Sequence, residues 1–348
     1  MLGHNIIVIG ASAGGVEATT QLVRSLPGDI PAAIFVVIHI APHSKSLLPQ
    51  IFQRRGSLPA THPEDGEKIE LGRVYVAPPD FHLLIKTGYI NLVHGPKENR
   101  HRPAVDPLFR SAAQAYSNRV IAVILSGSLD DGTAGLLAVK KQGGIAIVQD
   151  PEEALYDGMP RSAIENVAVD YVLPIAEISK KLVDLAYQPV PTENNPVDPQ
   201  LEMETEIAEL EKEAVESHDR PGKESPYSCP ECGGVLWELN NGNFLRFRCR
   251  TGHAFSPDSL FAGQSEALEQ ALWVALRALK EQSALSQKLA DRSKAQNRSI
   301  AANRFTKKVK EVEARAEVIR RVLVQNQSQA LNSEINDQND DLENDLID

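Results

Sequence analysis

Short apolar runs alternate with longer amphipathic stretches over about the first half of the chain. The apolar runs are continuous and rich in Val and Ile, which is typical of parallel strands that are covered on both faces. The strands that we predict lie at residues 5–9, 33–38, 120–125, 145–148 and 171–173. The helices that we predict lie at residues 15–26, 46–55, 105–117, 132–142, 160–167 and 176–186. This alternation indicates an α/β fold, doubly wound, in which helices cover both faces of a mainly parallel sheet.

Residues 66–95 interrupt this alternation. The short apolar runs 73–76 and 91–93 are separated by glycines and by the pair Pro78-Pro79. Such spacing favours antiparallel hairpins, either inserted in the main sheet or flanking it. We therefore predict a β-hairpin insertion at this point.

The chain changes character after residue 187. Residues 188–200 contain four prolines and predict a linker. From Gln264 onward there is no Gly or Pro, and apolar residues recur every three or four positions, which predicts two long packed helices. The domains that we predict are 1–187 (α/β domain), 188–224 (linker and acidic helix), 225–260 (cysteine-containing module), 261–328 (helical hairpin or coiled coil) and 329–348 (disordered acidic tail).

Charge and hydropathy exclude several functions. The formal net charge is −11, which argues against a nucleic-acid-binding protein. No stretch has the roughly 20 apolar residues that a membrane span needs. The N-terminus lacks the basic region of a signal peptide, so we expect a cytoplasmic location.

The turn after the first strand carries the most chemistry. Residues 10–14, Gly-Ala-Ser-Ala-Gly, match G-x-S-x-G, a turn that can expose a serine at the start of a helix. A dinucleotide loop would instead place glycine at the position of Ser12 and an acidic residue about 20 positions later. An ordinary α/β-hydrolase elbow would follow a central strand, and a serine can also simply cap a helix. The motif alone leaves these interpretations open.

Two further polar residues follow predicted strands. His39 ends the second strand, and Asp131 follows strand 120–125. The carboxyl ends of parallel strands meet at one edge of a sheet, so Ser12, His39 and Asp131 can converge there. A nucleophile, a base and an acid that orients the base are the parts of a serine-hydrolase triad. His43 and His82 lie near strand ends and could line the same cleft, but we favour surface or structural roles for both. We interpret His101 as a loop residue.

Several stretches together carry a family resemblance. They are "IGASAGG", "VYVAPPDFHLLI", "IHIAPH", "HRPAVDPLFRSAA", "LSGSLDDGTAG" and "VQDPEEALYDGMPRSAI". Over about residues 4–186 the chain resembles the catalytic domain of the chemotaxis protein-glutamate methylesterases, the CheB type. The resemblance implies Ser12 as nucleophile, His39 as base and Asp131 as acid, with the backbone at Ala13 and Ser128 binding the oxyanion. The family usually has Thr at the first of these two backbone positions and Met-Gly at Ser128-Leu129.

The resemblance also implies a reaction and its partners. The expected substrate is a glutamate γ-methyl ester on a chemoreceptor-type signalling protein, which is hydrolysed to release methanol without a catalytic cofactor. The same acyl chemistry would serve glutamine deamidation, and other chemosensory proteins are further expected partners. The better-known members carry a receiver domain ahead of the catalytic domain, which we do not expect here. The alternative is a non-catalytic signalling adaptor.

The cysteines form a second motif. Cys229, Cys232, Cys249 and His253 follow the spacing C-x2-C-x16-C-x3-H, in two turns that a predicted hairpin joins. Three thiolates and one imidazole complete a tetrahedral site, so we predict a structural Zn²⁺ in a zinc-ribbon-like module. Rubredoxin-like iron, or free cysteines beside a surface histidine, are the alternatives. The arginines at 246, 248 and 250 could face nucleic acid, but an acidic partner or the chain's own acidic helix fits the overall charge better.

Overall fold

The computed structural model describes residues 3–190, 198–209, 222–241 and 244–344. It divides into two compact units, Met1–Gly263 and Gln264–Asp348. The strands are β1 (Ile6–Ala11), β2 (Ala33–Ile38), β3 (Ala60–Thr61), β4 (Arg73–Val76), β5 (His82–Lys86), β6 (Tyr89–Val93), β7 (Val120–Ile124), β8 (Ile145–Gln149), β9 (Tyr171–Leu173), β10 (Lys223–Ser228), β11 (Val235–Asn241), β12 (Phe244–Cys249) and β13 (Ala254–Phe255). The helices are α1 (Gly15–Arg24), α2 (Leu48–Arg55), α3 (Val105–Tyr116), α4 (Thr133–Lys141), α5 (Gly158–Asn166), α6 (Ile175–Tyr187), α7 (Pro199–Ala208), α8 (Pro257–Ala295) and α9 (Ser299–Asn344), with a 3₁₀ turn at Ser117–Arg119.

A seven-stranded sheet forms the core of the first unit, in the order β3-β4-β2-β1-β7-β8-β9. Every neighbouring pair in it is parallel. Every residue of β1 and β2 is buried, and alternate side chains enter two apolar layers, one on each face. The predicted doubly wound α/β fold is confirmed, and the five predicted strands form within a residue or two of their expected bounds.

The hairpin prediction for residues 66–95 is half wrong. Strands β5 and β6 do form a separate antiparallel pair. Residues 73–76, however, form β4, which pairs in parallel with β2 and β3 in the main sheet. Three of its four residues are buried, so this strand is covered on both faces like its neighbours. The sequence pattern misled because a four-residue run is too short to separate the two kinds of strand, and β3 has only two residues.

A four-stranded antiparallel sheet, β10-β11-β12-β13, forms the ribbon module of the first unit, residues 223–255. Buried charged side chains hold this module against α7, α3 and the loop that precedes α3. Arg246 and Arg248 on β12 bond the Glu204 carboxylate on α7 at 2.8–3.0 Å. Arg248 and Arg110 of α3 both bond Glu98, at 3.1 and 2.6 Å. All five side chains are at most 4% exposed, so these two arginines of β12 face the chain's own acids.

The second unit contains most of α8 and all of α9. Leu276, Ala316 and Leu323 form its buried centre, and Leu272, Leu279 and Ile319 pack against them. This packing agrees with the predicted helical hairpin. The backbone is helical to Asn344, whereas the sequence predicts a disordered tail from residue 329.

Within the described residues, none of the helices has both the length and the apolar character needed to cross a membrane.

Candidate active site

Three neighbouring strands present the predicted triad at one edge of the sheet. Ser12 follows β1, His39 follows β2, and Asp131 lies in the loop between β7 and α4. Strand β1 pairs with β2 on one side and with β7 on the other. The parallel direction brings all three carboxyl ends together, as the sequence predicts.

The three side chains form a hydrogen-bonded chain. The Oγ of Ser12 lies 3.0 Å from Nδ1 of His39. The Nε2 of the same ring lies 2.7 Å from Oδ2 of Asp131. The imidazole and the carboxylate are only 6% and 3% exposed. An ionised carboxylate can only accept, so Nε2 carries the proton, and Nδ1 is left to accept the serine hydroxyl.

The Asp131 carboxylate is held as an anion. Burial opposes its charge, but hydrogen bonds from His39, from the Val105 N–H and from Asn99 outweigh burial, so the pKa of Asp131 lies well below its usual range. Val105 N–H donates to Oδ2 at 2.7 Å, whereas Asp106 N–H and Asn99 Nδ2 donate to Oδ1 at 3.2 and 2.9 Å. The two backbone donors belong to the first turn of α3, whose dipole favours a negative charge at that position.

The neighbouring acid has a different role. Asp130 does not bond His39; its Oδ1 accepts the Ser256 hydroxyl at 2.5 Å. Burial raises the pKa of Asp130 to about 7, although the Ser256 hydrogen bond lowers it in part. The pKa values of the two adjacent carboxyls are therefore shifted in opposite directions. Only Asp131 is both ionised and hydrogen-bonded to the imidazole, so it is the acid that orients the ring.

A close approach of two backbones fixes the serine turn. The Ser12 N–H donates to the Ser126 carbonyl at 2.9 Å. Gly14 precedes α1 with φ 68°, a left-handed conformation that glycine adopts without strain. A Cβ on Gly127 would lie 2.9 Å from the Ser12 Cβ and 2.1 Å from the Met159 sulfur. Glycine at 127 is thus required for the serine to occupy this position.

The predicted oxyanion donors flank the serine turn. Ala13 follows Ser12 directly, and Ser128 lies in the loop after β7. Within the part of the chain that the structure describes, neither backbone N–H donates a hydrogen bond. Unengaged N–H groups beside a nucleophile are suited to a developing oxyanion. Their role stays a prediction.

The four predicted metal ligands come together in the ribbon module. The Sγ atoms of Cys229, Cys232 and Cys249 and a ring nitrogen of His253 all lie within 4.8 Å of one another. The Nδ1 of the histidine is 3.7 and 3.5 Å from the first and third sulfurs. Cys229 and Cys249 are buried, and Cys232 is exposed. The donor set is that of a closed tetrahedral zinc site.

Comparison with known proteins identifies the family of the α/β domain. A family model described as CheB methylesterase matches residues 7–182. The chain belongs to this CheB methylesterase family. A Leptospira interrogans protein, provisionally named a protein-glutamate methylesterase/protein-glutamine glutaminase, is 40% identical over 185 residues, which are 53% of this chain and 96% of that protein. A Thermotoga maritima protein-glutamate methylesterase/protein-glutamine glutaminase is 41% identical over 184 residues, 52% of this chain and 54% of that protein.

A solved structure shares the CheB fold. The crystal structure of the Thermotoga maritima CheB methylesterase catalytic domain superposes with a TM-score of 0.51 at 40% identity. It covers 52% of this chain and 98% of the crystallised chain. The ribbon module and the helices beyond it lie outside the residues that the family model matches.

The CheB site includes one histidine whose position the sequence did not reveal. The ring of His101 stacks on that of His39, with centroids 3.6 Å apart and planes 10° apart. Its motif was informative, since it stands in "HRPAVDPLFRSAA", but nothing in the pattern pointed toward His39. The other two histidines do not join the triad: His82 is buried with Nε2 2.9 Å from the Pro96 carbonyl, and His43 is exposed.

Proposed function

We propose that this chain is a protein-glutamate methylesterase, which hydrolyses glutamate γ-methyl esters on methylated receptor-type signalling proteins. The observation that carries the proposal is the relay from Ser12 through His39 to the buried Asp131 carboxylate. The relay lies at the carboxyl edge of the sheet, beside two N–H groups that donate no hydrogen bond to any described residue, in a chain of the CheB methylesterase family. These features support hydrolysis over a non-catalytic adaptor, which would have no use for a fully assembled relay.

The geometry supports a two-step mechanism. The Ser12 oxygen attacks the ester carbonyl carbon, and its proton moves to Nδ1 of His39. The N–H groups of Ala13 and Ser128 bind the oxyanion of the tetrahedral intermediate. When the intermediate collapses, the C–O bond to the methoxy group breaks, and the histidine returns its proton so that methanol leaves. Asp131 holds the ring in the tautomer described above and stabilises the imidazolium that forms.

Water completes the reaction. His39 removes a proton from water, which attacks the acyl-enzyme carbonyl. The bond to the serine oxygen then breaks, the serine recovers its proton, and a free glutamate side chain remains. A glutamine side chain would give the same acyl-enzyme with ammonia as the leaving group, and the names of the two relatives pair these two activities. We therefore propose glutamine deamidation as a second activity of the same site.

Methanol release tests the esterase proposal. A methylated chemoreceptor serves as substrate, and the chain is compared with Ser12→Ala and with Ser57→Ala, which removes an exposed serine hydroxyl after α2. We expect release by the parent chain and by the control variant, and a loss of at least about 10³-fold in Ser12→Ala. Release that persists in Ser12→Ala would overturn the mechanism. The receptor, its chemosensory partners and a cytoplasmic location stay predictions.

We also propose that Cys229, Cys232, Cys249 and His253 hold a structural Zn²⁺. The module that carries them has a small apolar core, to which two of the cysteines themselves belong, so a metal would supply folding energy that the core lacks. All four positions of the metal would be filled by the protein, so no catalytic role is assigned to it. We expect one zinc per chain by elemental analysis, and its loss in Cys249→Ser but not in Ser228→Ala. Iron in place of zinc would contradict the choice of metal.

A further inference from the structure

The segment that leaves the ribbon module, Ala254–Ser259, runs beside the loop that precedes α3. The Asn99 N–H donates to the Ala254 carbonyl at 2.8 Å, and the Ala254 N–H donates to the Lys97 carbonyl at 3.3 Å. The buried pair formed by Glu98 and Arg248 secures the same contact from the ribbon side. The ribbon module therefore lies against the residue that bonds the Asp131 carboxylate.

The Asn99 carboxamide is fully engaged between these two parts. Its Nδ2 donates to Oδ1 of Asp131 and to Oδ2 of Asp106, both at 2.9 Å. Its Oδ1 accepts from the Ser256 N–H at 3.0 Å and from the Ser259 hydroxyl at 3.0 Å. Asn99 is 5% exposed, and the two serines are 3% and 0% exposed. Every strong hydrogen-bonding position of this buried amide is used by a protein partner.

These contacts determine which way the amide points. A backbone N–H can only donate, so the oxygen of Asn99 must face Ser256 and its NH₂ must face the carboxylates. If the amide turned over, its oxygen would face the Asp131 anion and its NH₂ would face the Ser256 N–H. Both contacts would then be repulsive, at a buried site where unpaired polar groups are costly. The Ser256 N–H thus selects the orientation that supports the triad acid, and the Ser259 hydroxyl donates to the same amide oxygen.

We propose that Ser256 and Ser259 are positioning residues of the active site, which act through Asn99 to hold the Asp131 carboxylate toward His39. The segment that leaves the ribbon module would then complete the catalytic centre, so the module would not be merely appended to it. A second contact supports this, because the Ser256 hydroxyl also bonds Asp130, the residue next to the triad acid. Both serines lie outside the residues that the CheB family model matches. The inference rests on the proposed role of the triad.

A fluorophosphonate probe tests the proposal in the full chain. The probe modifies an activated serine without requiring the receptor substrate, so its reaction with Ser12 reports the triad even if the methyl-ester proposal fails. The variants are Ser259→Ala, which removes one donor to Asn99, and Asn99→Gly, which removes the amide. Glycine suits this position because Asn99 has φ 48°. Ser225→Ala is the matched control, since it removes a buried hydroxyl that bonds the Leu236 carbonyl inside the ribbon module, away from Asn99.

We expect the maximal labelling rate to fall about tenfold in Asn99→Gly and severalfold in Ser259→Ala, with the half-saturating probe concentration unchanged. Because the serine acts through the amide, Ser259→Ala should have little further effect in the Asn99→Gly background. Ser225→Ala should leave the rate as it is. Additive losses in the double variant, or an equal loss in the control, would overturn the proposal. If Ser259→Ala does not fold, an unchanged rate in Asn99→Gly would still refute it.

Discussion

The imidazole of His101 lies flat against that of His39, with centroids 3.6 Å apart and ring planes 10° apart. Burial, and then the positive charge that His39 can carry, lowers the pKa of His101 to about 3. His101 is therefore neutral near pH 7. A neutral ring on this face restricts rotation of His39 and does not repel its imidazolium form.

This stacking predicts a difference between two substitutions of His101. His101→Ala removes the packed face, so we expect kcat to fall about 2- to 10-fold, the rate equivalent of one aromatic contact. His101→Phe keeps an uncharged ring and should retain most of the activity. Steady-state hydrolysis of a methylated receptor measures both. Equal losses in the two variants would show that the imidazole nitrogens of His101, and not its flat face, are what matters.

The donors around Asp131 predict the effect of an isosteric change. In Asp131→Asn one carboxylate oxygen becomes an NH₂ group, and at either orientation that group faces N–H donors. The His39 tautomer is then no longer fixed, so we expect a loss of about 10⁴-fold in kcat, as in serine hydrolases whose tautomer is wrong. Thermal unfolding should also shift to lower temperature. Activity within tenfold of the parent would contradict the role of Asp131.

The buried Asp130 predicts a pH dependence of stability. Its pKa in the folded chain is about 7, above the value of about 4 expected when the chain is unfolded. The folded state therefore binds the proton more tightly, so its stability is greatest below pH 4 for this group and falls as the pH rises toward 7. Asp130→Asn should remove this decline and raise the melting temperature at pH 8 by several degrees. Asp29→Asn, at an exposed position, is the charge-matched control and should not.

Crowding at Gly127 predicts a selective loss of activity. A Cβ there would meet the Ser12 Cβ at 2.9 Å and the Met159 sulfur at 2.1 Å, so the serine turn must shift. A displacement of about 1 Å at a reacting atom can cost about 100-fold in rate, and we expect a loss of that order in Gly127→Ala. Gly28→Ala, whose Cβ would have ordinary contacts from 3.4 Å, is the control. Equal kcat values in the two variants would contradict this account of the turn.

The buried charges that dock the ribbon predict a large cost for removing one partner. Glu204→Gln leaves Arg246 and Arg248 with less negative charge to face, so we expect urea unfolding to report a loss of about 3–5 kcal/mol. Replacement of the acid together with one of its arginines, Glu204→Leu with Arg246→Met, should cost less than Glu204→Gln alone. Arg320→Met removes an exposed pair with Glu317 and should cost about 0–1 kcal/mol. A small effect of Glu204→Gln would mean that the ribbon docks by other contacts.

The sequence predicts the sheet and the triad for the same physical reason. Apolar runs that are long enough to be covered on both faces identify parallel strands, and the polar residue after each strand must then lie at the shared edge. This reasoning places Ser12, His39 and Asp131 correctly. It is wrong for residues 73–76, because four residues between a glycine and prolines fit a parallel strand and a hairpin equally well.

Contacts between the surfaces of two modules leave no periodic pattern in the sequence, so the sequence did not predict them. Asn99 lies in a loop, and the sequence around Ser256, which precedes Pro257, predicts only an ordinary helix cap. Their hydrogen bond depends on how the ribbon docks, which is determined by buried charges and not by local propensity. For the same reason, the arginines of β12 could be paired with an acidic helix only by an argument from overall charge.

The contact between Asn99 and Ser256 joins residues 157 positions apart. During synthesis the α/β domain leaves the ribosome well before the ribbon does, and domains generally fold as they emerge. The Asn99 amide oxygen lacks both of its donors until residues 256–259 are available. The nascent chain would thus acquire a folded sheet first and a fully oriented triad later, so that hydrolytic competence would arise near the end of translation of the first unit.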